Sequence, residues 1–434
     1  MVKVSIHKSR LSGTIRSPSS KSYTHRAVFL AALSEGESQI IDPLISRDTL
    51  SSINACRALG TKVLHKDSSL MITGMPLTVP ENIIDSGNSG TTLRIATSIC
   101  SLVESGYAVL TGDCSLRTRP MSALLEALNH LGVRCFSTKL NGTAPIVVKG
   151  GGLQGGNVTM NGSISSQFIS SILIAGVRAR TDIFIQIEGD QVSRPYIDST
   201  IAAMERFGAR VEKDYNMRNL MIKRGSYTCC TFHVPSDLSS ASLLMAAGVL
   251  TGDDKVKLSG LSFDLPQGDS KIIDIINQMN GKISVDKLKG EVVIEGSEKL
   301  GGGEFDLHDS PDLMPVVSIL ALKAKNRVTL KGVSHLRYKE TDRVKNISTE
   351  LRKLGAVVEE STDRITITSP SYLRNASLDS YGDHRLFMAF AIASLLTQHS
   401  TLTGAESVDV SYPGFLNDIV KLGANISSCD GQES

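Results

Sequence analysis

One pattern constrains this chain more than any other. A helix-like stretch closes on glycine and is followed at once by a short strand, and this happens six times. It reads Arg57-Ala58-Leu59-Gly60-Thr61-Lys62-Val63, then Asn129-His130-Leu131-Gly132-Val133, then Glu205-Arg206-Phe207-Gly208-Ala209-Arg210-Val211. The later copies are Gln278-Met279-Asn280-Gly281-Lys282-Ile283, Arg352-Lys353-Leu354-Gly355-Ala356-Val357 and Val420-Lys421-Leu422-Gly423-Ala424-Asn425-Ile426. The six glycines stand 68 to 76 residues apart. Each is expected in the left-handed conformation that closes a helix, which glycine adopts without a Cβ penalty.

A second marker keeps the same phase. Strand-like runs end at Leu110-Thr111-Gly112, Ile187-Glu188-Gly189, Leu258-Ser259-Gly260, Leu330-Lys331-Gly332 and Leu402-Thr403-Gly404, with Ile40-Ile41-Asp42 in the first copy. An apolar helical stretch precedes each of them, as at residues 26–33, 91–103 and 239–250. Every repeat therefore holds two helices and several strands. Units of that bulk do not stack into a thin solenoid. Two globular halves of three repeats each is the expected arrangement, in the α/β class (α+β in some schemes).

Composition narrows the function. At 434 residues the chain exceeds one ordinary core, and 41% hydrophobic with 21% charged residues marks a globular protein. A net charge of +2 with no Lys/Arg run argues against a nucleic-acid partner. The seven cysteines are scattered, only Cys229 and Cys230 being adjacent, and neither CxxC nor HExxH occurs. A structural zinc site and a disulfide framework are thereby disfavoured, and a reduced, cytoplasmic compartment is expected. Residues 1–13 alternate like a strand and lack a signal core. The apolar stretches at 313–324 and 386–396 are too short for a bilayer and read as buried helices, so no membrane partner is expected.

Polar residues gather where the repeat helices start. The first helices open at Ser19-Ser20-Lys21-Ser22, Ser86-Gly87-Asn88-Ser89-Gly90-Thr91-Thr92, Ser163–Gln167, Ser236–Ser240, Asp309-Ser310-Pro311-Asp312 and Gly382-Asp383-His384-Arg385. Second helices open near Arg117-Thr118-Arg119-Pro120, Ser193-Arg194-Pro195-Tyr196, Lys339-Glu340-Thr341-Asp342-Arg343 and Ser411-Tyr412-Pro413-Gly414. Helix N-termini present unpaired N–H groups and the positive end of the macrodipole. Beside Lys and Arg they suit anions, although most such residues in any protein are only caps. From the residues alone, the expectation is a binder or transferase of polyanionic small molecules, with a cleft between the halves collecting these helix starts.

The clusters also carry a resemblance. Pro18-Ser19-Ser20-Lys21-Ser22-Tyr23-Thr24-His25-Arg26 and Gly87-Asn88-Ser89-Gly90-Thr91-Thr92-Leu93-Arg94 resemble signatures of the 5-enolpyruvylshikimate-3-phosphate synthases. So do Arg117-Thr118-Arg119-Pro120-Met121, Ser165-Ser166-Gln167-Phe168, Arg337-Tyr338-Lys339-Glu340-Thr341-Asp342-Arg343 and Gly382-Asp383-His384-Arg385. They occur in the family order and span residues 18 to 385. The resemblance implies two inside-out α/β prism domains of three repeats each, one of them discontinuous. The implied halves are residues 17–232, and residues 1–16 with 233–434.

Its further implications concern residues. Lys21, Gly90, Arg119, Gln167, Arg343 and Arg385 are the implied phosphoenolpyruvate set, since cationic forks pair with carboxylate and phosphate. Lys21, Ser22, Arg26, Ser165, Ser166, Gln167, Ser193, Tyr196, Asp312, His335 and Lys339 are the implied shikimate-3-phosphate set. Asp312 matches the family's proton acceptor, and Lys21 and Glu340 are the implied proton donors to the methylene carbon. No metal and no cofactor are implied, and a monomer is expected.

Two positions depart from the family pattern: Val410 stands where a Lys is usual, and His335 where an Asn is common. The rival of the same fold, UDP-N-acetylglucosamine enolpyruvyl transferase, uses a loop Cys five residues before an Arg-Pro. Cys114 stands in that relation to Arg119-Pro120. A third reading is a non-catalytic binder of phosphorylated metabolites, which would need its acid and base residues lost, whereas Asp312, Glu340 and Lys21 are all present.

Overall fold

The computed structural model describes residues 1–74 and 76–429. They form two compact units, one of Met1–Pro18 with the chain from Ser236 onward, the other of Ser19–Pro235.

Each unit holds three sheets built to one plan. An opening strand runs parallel to a central strand, which pairs antiparallel with the nearer of two further antiparallel strands. In Ser19–Pro235 this is seen in Gly156–Asn161, Ile183–Glu188, Asn219–Ile222 and Val211–Lys213. It recurs in Ile84–Asp85, Tyr107–Thr111, Ile146–Lys149 and Cys135–Ser137. The third sheet has Ser34–Ile41, Ser69–Gly74 and Lys62–Lys66. Its opening strand comes from the far end of the unit, where Tyr227–Thr228 and Thr231–His233 pair in parallel with Ser34–Ile41.

The other unit closes in a similar way, using the chain's beginning. Leu11–Arg16 is the opening strand beside Gly252–Ser259, whose hairpin is Glu291–Glu295 and Lys282–Asp286. Lys3–His7 lies between His399–Thr403 and Asn425–Ser428, antiparallel to both, and completes the sheet opened by Ser377–Asp379. The remaining sheet is Gly303–Asp306, Val328–Lys331, Arg364–Thr368 and Val357–Glu360. Without the first sixteen residues, two sheets would each lack a strand and expose an unpaired edge.

Burial explains the layering. Every residue of Leu238–Thr251, Met314–Leu320 and His384–Ser394 is buried. Helices apolar on all sides belong in a core, and these three pack against one another. The strands around them bury alternate residues, as in Glu291–Glu295 and His399–Thr403, so one face of each sheet covers the helices.

The two sequence markers fall on real boundaries. The strand markers end at Ile41, Thr111, Glu188, Ser259, Lys331 and Thr403. Gly60, Gly132, Gly208, Gly355 and Gly423 take positive φ just past helix ends. The fourth repeat differs from expectation: Asn280 (φ 58°), not Gly281, holds the left-handed position. The helix there ends at Gln278, so Asn280 lies two residues past it, as Gly60 lies two past Ala58. Asn tolerates that region better than most residues with a Cβ.

Candidate active site

In Ser19–Pro235, three helices bring polar groups together at their starts. Lys21–Leu33 is capped by Ser20, Arg47–Ala58 by a Ser46–Thr49 capping box, and Gly90–Cys100 by Ser89. Lys21 Nζ donates to Asp48 Oδ2 at 2.9 Å, and Asp48 is buried. One turn along both helices, His25 Nδ1 meets Ser52 Oγ at 2.7 Å, and Ser52 continues to Thr92 Oγ1 at 2.7 Å. Thr92 in turn hydrogen-bonds Ser89 Oγ at 2.8 Å, so a buried seam joins the three helices. Burial, then the charges of Lys21 and Arg26, lower the His25 pKa well below its usual value. That histidine is a neutral strut.

Gly90 sits among cations. A Cβ there would lie 3.2 Å from Arg94 Nη1, 3.3 Å from Arg119 Nη1 and 3.6 Å from Gln167 Oε1. Arg94 donates to Gln167 Oε1, and Gln167 Nε2 donates to Thr91 Oγ1 at 3.1 Å. Arg119 is oriented by Asn88 through its carbonyl (3.3 Å) and side-chain oxygen (2.9 Å). Two guanidinium groups, an amide and a helix N-terminus thus surround one small space beside a residue with no side chain. Such a setting suits an anion.

The remaining expected residues of this unit lie along neighbouring helices. The Arg26 guanidinium is buried and reaches Thr200 Oγ1 (2.9 Å), Ser22 O (2.8 Å) and Tyr196 O (2.9 Å). It thereby ties Lys21–Leu33 to Arg194–Arg206. Ser165 caps Ser166–Gly176 by accepting from Gln167 N at 3.3 Å. Ser193 precedes Arg194–Arg206 in the left-handed region (φ 58°) with no side-chain cap bond. Tyr196 is half-buried beside it.

In the other unit the centre is Arg343, whose side chain is 2% exposed. Its Nε donates to Asp383 at 2.7 Å, Nη1 to Asp312 at 3.0 Å and Nη2 to Glu340 at 2.7 Å. Asp383 also caps His384–Ser394, accepting from Arg385 N and Leu386 N. Arg385 reaches back from that helix, with Nη2 2.8 Å from Asp312 Oδ2 and Nη1 2.7 Å from Ser239 Oγ. Asp312 therefore lies between two buried guanidinium groups. Burial opposes its ionisation, yet Arg385, Arg343 and Lys339 outweigh that and hold it well below the usual carboxylate range. Asp383, Glu340 and Asp312 in turn raise the Arg343 pKa against its own burial.

His335 is buried in the turn Ser334–Tyr338, and neither ring nitrogen has a hydrogen-bond partner among the described residues. Burial, then Lys339 and His308, push its pKa down to about 4, so the ring is neutral at neutral pH. Val410 ends the short turn Ala405–Val410. Among the described residues no group of three or more His, Cys, Asp and Glu is placed to hold a metal. No helix there is long and apolar enough to cross a membrane.

Two such clusters, each an ion network at helix starts, set the terms for comparison with known proteins. The family model for EPSP synthase (3-phosphoshikimate 1-carboxyvinyltransferase) matches residues 6–419. The chain belongs to the EPSP synthase family. It is therefore a transferase of the shikimate pathway, and its mixed α/β fold is that of the family. It is 42% identical to the 3-phosphoshikimate 1-carboxyvinyltransferase of Methanococcus maripaludis, over 96% of this chain and 97% of that one. To the protein of the same name from Methanothermobacter thermautotrophicus it is 45% identical, again over 96% and 97%. Among solved structures, EPSP synthase from Acinetobacter baumannii superposes with a TM-score of 0.83 at 26% identity, covering 98% of this chain and all of the other.

Three residues at these clusters are not singled out by the motifs: Arg94, Asp48, and Asp269, which is buried and hydrogen-bonded to the Ser239 that Arg385 reaches. Arg94 was read only as the tail of a motif, and Asp48 and Asp269 were not marked at all. The repeat phase held the signal. Asp48 and Asp269 stand where the second helices of the first and fourth repeats begin, at Arg47–Ala58 and just ahead of Lys271–Gln278. Those are the two repeats in which no polar helix start had been noted.

Proposed function

We infer that this chain transfers the enolpyruvyl group of phosphoenolpyruvate to the 5-hydroxyl of shikimate-3-phosphate, releasing phosphate. The observation that carries the reading is the ionised Asp312 held between Arg343 and Arg385. A hydroxyl nucleophile needs a base, and the acceptor of its proton must stay charged in a low-dielectric site.

The reaction is addition followed by elimination. The 5-oxygen bonds to C2 of phosphoenolpyruvate as its proton passes to Asp312, while C3 takes a proton from Lys21 or Glu340. In the second step C3 gives a proton back, the C2–O bond to phosphate breaks, and the double bond re-forms. Lys21, Gly90, Arg119, Gln167, Arg343 and Arg385 hold phosphoenolpyruvate. Ser22, Arg26, Ser165, Ser166, Ser193, Tyr196, His335 and Lys339, with Lys21, Gln167 and Asp312, hold shikimate-3-phosphate. Arg94, beside Gly90, joins the anion-holding set.

A carboxylate with so depressed a pKa is a weak base in the free enzyme. Substrate corrects this. An anion drawn to Arg343 and Arg385 shares the charge that now stabilises Asp312, and so raises the proton affinity of that carboxylate. Base strength thereby appears when phosphoenolpyruvate is bound.

The deciding experiment is phosphate release from phosphoenolpyruvate with shikimate-3-phosphate, beside UDP-N-acetylglucosamine and a no-acceptor control. Release with the shikimate ester alone is expected, and it would also show that Val410 is tolerated where a lysine is usual. Release with the sugar nucleotide alone would overturn the reading. Cys114 is exposed, whereas burial pushes Cys56, Cys100 and Cys135 up in pKa. Alkylation should therefore reach Cys114 early, and the Cys114→Ala variant should keep more than half of its activity. Complete loss in that variant would favour the thiol-dependent rival.

Gly90 offers a second test. A methyl there crowds Arg94 and Arg119 by a few tenths of an ångström without straining the backbone, since its φ is not positive. Gly90→Ala should raise KM for phosphoenolpyruvate on the order of tenfold and leave KM for shikimate-3-phosphate nearly unchanged. An equal rise in both would argue against a phosphoenolpyruvate subsite there. The seven unpaired thiols support a cytoplasmic setting, and light scattering is expected to find a monomer.

A further inference from the structure

We propose, resting on the transferase reading above, that Asp269 is a positioning residue which acts through Ser239 to set how strongly Arg385 holds a substrate anion. Asp269 is buried in the turn Gly268–Ser270, and that turn is clamped from two sides. On one side, Gln267 Nε2 donates to Ser236 O at 2.8 Å and Gln267 Oε1 accepts from Leu238 N at 3.0 Å. This fixes the turn to the start of Leu238–Thr251. On the other, Ser310 Oγ donates to Gly268 O at 2.9 Å, beside the turn Pro311–Leu313 that carries Asp312.

The chain of bonds has one direction. Ser239 Oγ accepts from Arg385 Nη1 at 2.7 Å and is hydrogen-bonded to Asp269. A hydroxyl has a single hydrogen, and an ionised carboxylate can only accept. The order is then Arg385 to Ser239 to Asp269. The other arm of Arg385 holds Asp312 at 2.8 Å. The guanidinium is stretched between a catalytic base and a second, buried acid, and what it offers a third anion depends on the charge of both.

The two acids are not equivalent. Asp312 has Arg385, Arg343 and Lys339 around it and stays ionised. Asp269 faces Asp312, Arg385 and Asp237, with Ser239 as its hydrogen-bond partner. Burial, followed by the negative charge of Asp312, pushes its carboxyl up to about 7, against the pull of Arg385. Near neutral pH, Asp269 therefore changes charge while Asp312 does not. Protonated, it still holds Ser239 and leaves Arg385 available to substrate. Ionised, it competes with the incoming anion.

The test is KM for phosphoenolpyruvate against pH, from 6 to 9, with shikimate-3-phosphate saturating. The wild type, Asp269→Asn and Asp269→Ala would be compared. The wild-type KM should rise roughly fivefold across the range relative to Asp269→Asn, which mimics the neutral acid and keeps the hydrogen bond. Asp269→Ala, which loses the bond as well as the charge, should show a severalfold higher KM even at pH 6. The proposal is overturned if Asp269→Asn tracks the wild type at every pH, or if Asp269→Ala matches it at pH 6. No phosphate release by the wild type would instead sink the transferase reading.

A measurement without substrate decides the electrostatic part separately. The folded chain keeps the Asp269 proton that the unfolded chain releases near pH 4, so its contribution to stability falls as pH rises from there to about 7. The thermal midpoint of Asp269→Asn should gain on the wild type across that window and not below it. A difference independent of pH would refute an ionising, buried Asp269. This arm remains decisive even if Asp269→Ala fails to fold.

Discussion

Asp312→Asn should lower kcat by about a thousandfold, the range lost with a general base, while phosphoenolpyruvate still binds. The two effects part company because Asp312 does two opposed things. As the proposed base it would accept the proton of the attacking hydroxyl, and it also occupies Arg343 Nη1 and Arg385 Nη2, the groups proposed to hold the anion. An Asn cannot take the proton and carries no charge, so both guanidinium groups become more available. Affinity for phosphoenolpyruvate should therefore stay level or improve, read by calorimetric titration. A kcat within tenfold of wild type would remove Asp312 from the chemistry. Loss of binding together with turnover would make it a structural residue. The fold should survive, because Arg343 keeps Asp383 and Glu340.

The second large effect is on stability. Arg343→Met should cost about 3–5 kcal/mol, the penalty for breaking a buried ion network by removing one sign of charge. Asp383, Glu340 and Asp312 all face that guanidinium, and Asp383 is fully buried while it caps His384–Ser394. Arg343→Lys would recover only part, since one ammonium lacks the planar fork that reaches three carboxylates. The loss should depend on pH in a stated direction. The folded-state pKa of Asp312 is depressed, so its stabilisation is complete above the ordinary Asp range and fades as pH falls through the folded value. The gap between wild type and variant in urea denaturation should then narrow on acidification below about pH 4. A gap that stays constant would mean that packing, and not charge, sets the cost.

Both predictions concern a network only half legible in the chain. Arg343, Asp312, Glu340 and Arg385 were each expected at the site on their motifs. That Asp383 completes the ring around Arg343 was not, because a carboxylate at a helix start reads first as a cap. It is a cap as well: the same Asp383 oxygen that accepts from Arg385 N is also 3.3 Å from Arg343 Nη2. In the other unit, the resemblance already grouped Gly90, Arg119 and Gln167, but the presence of Arg94 among them was not expected. Arg94, Arg119 and Gln167 are carried by different helices and turns, and no spacing along the chain encodes their meeting.

What the sequence determined by itself was the rhythm of the fold. Helix ends and strand ends are decided by local sterics, so a left-handed residue after Leu59, Leu131, Phe207, Leu354 and Leu422 marks a boundary wherever it stands. Even the one misplaced boundary, at Asn280 in place of Gly281, was wrong by a single residue, within the same local logic. Only the tertiary structure decided which strand completes which sheet. Lys3–His7 pairs with His399–Thr403, and Thr231–His233 with Ser34–Ile41, because open sheet edges must be satisfied by whatever part of the chain reaches them. Nor could the chain announce Asp48 or Asp269, whose importance comes from Lys21 and from Ser239 with Arg385. Ion pairs and strand partners are long-range contacts, and they leave no periodic trace in the residues that make them.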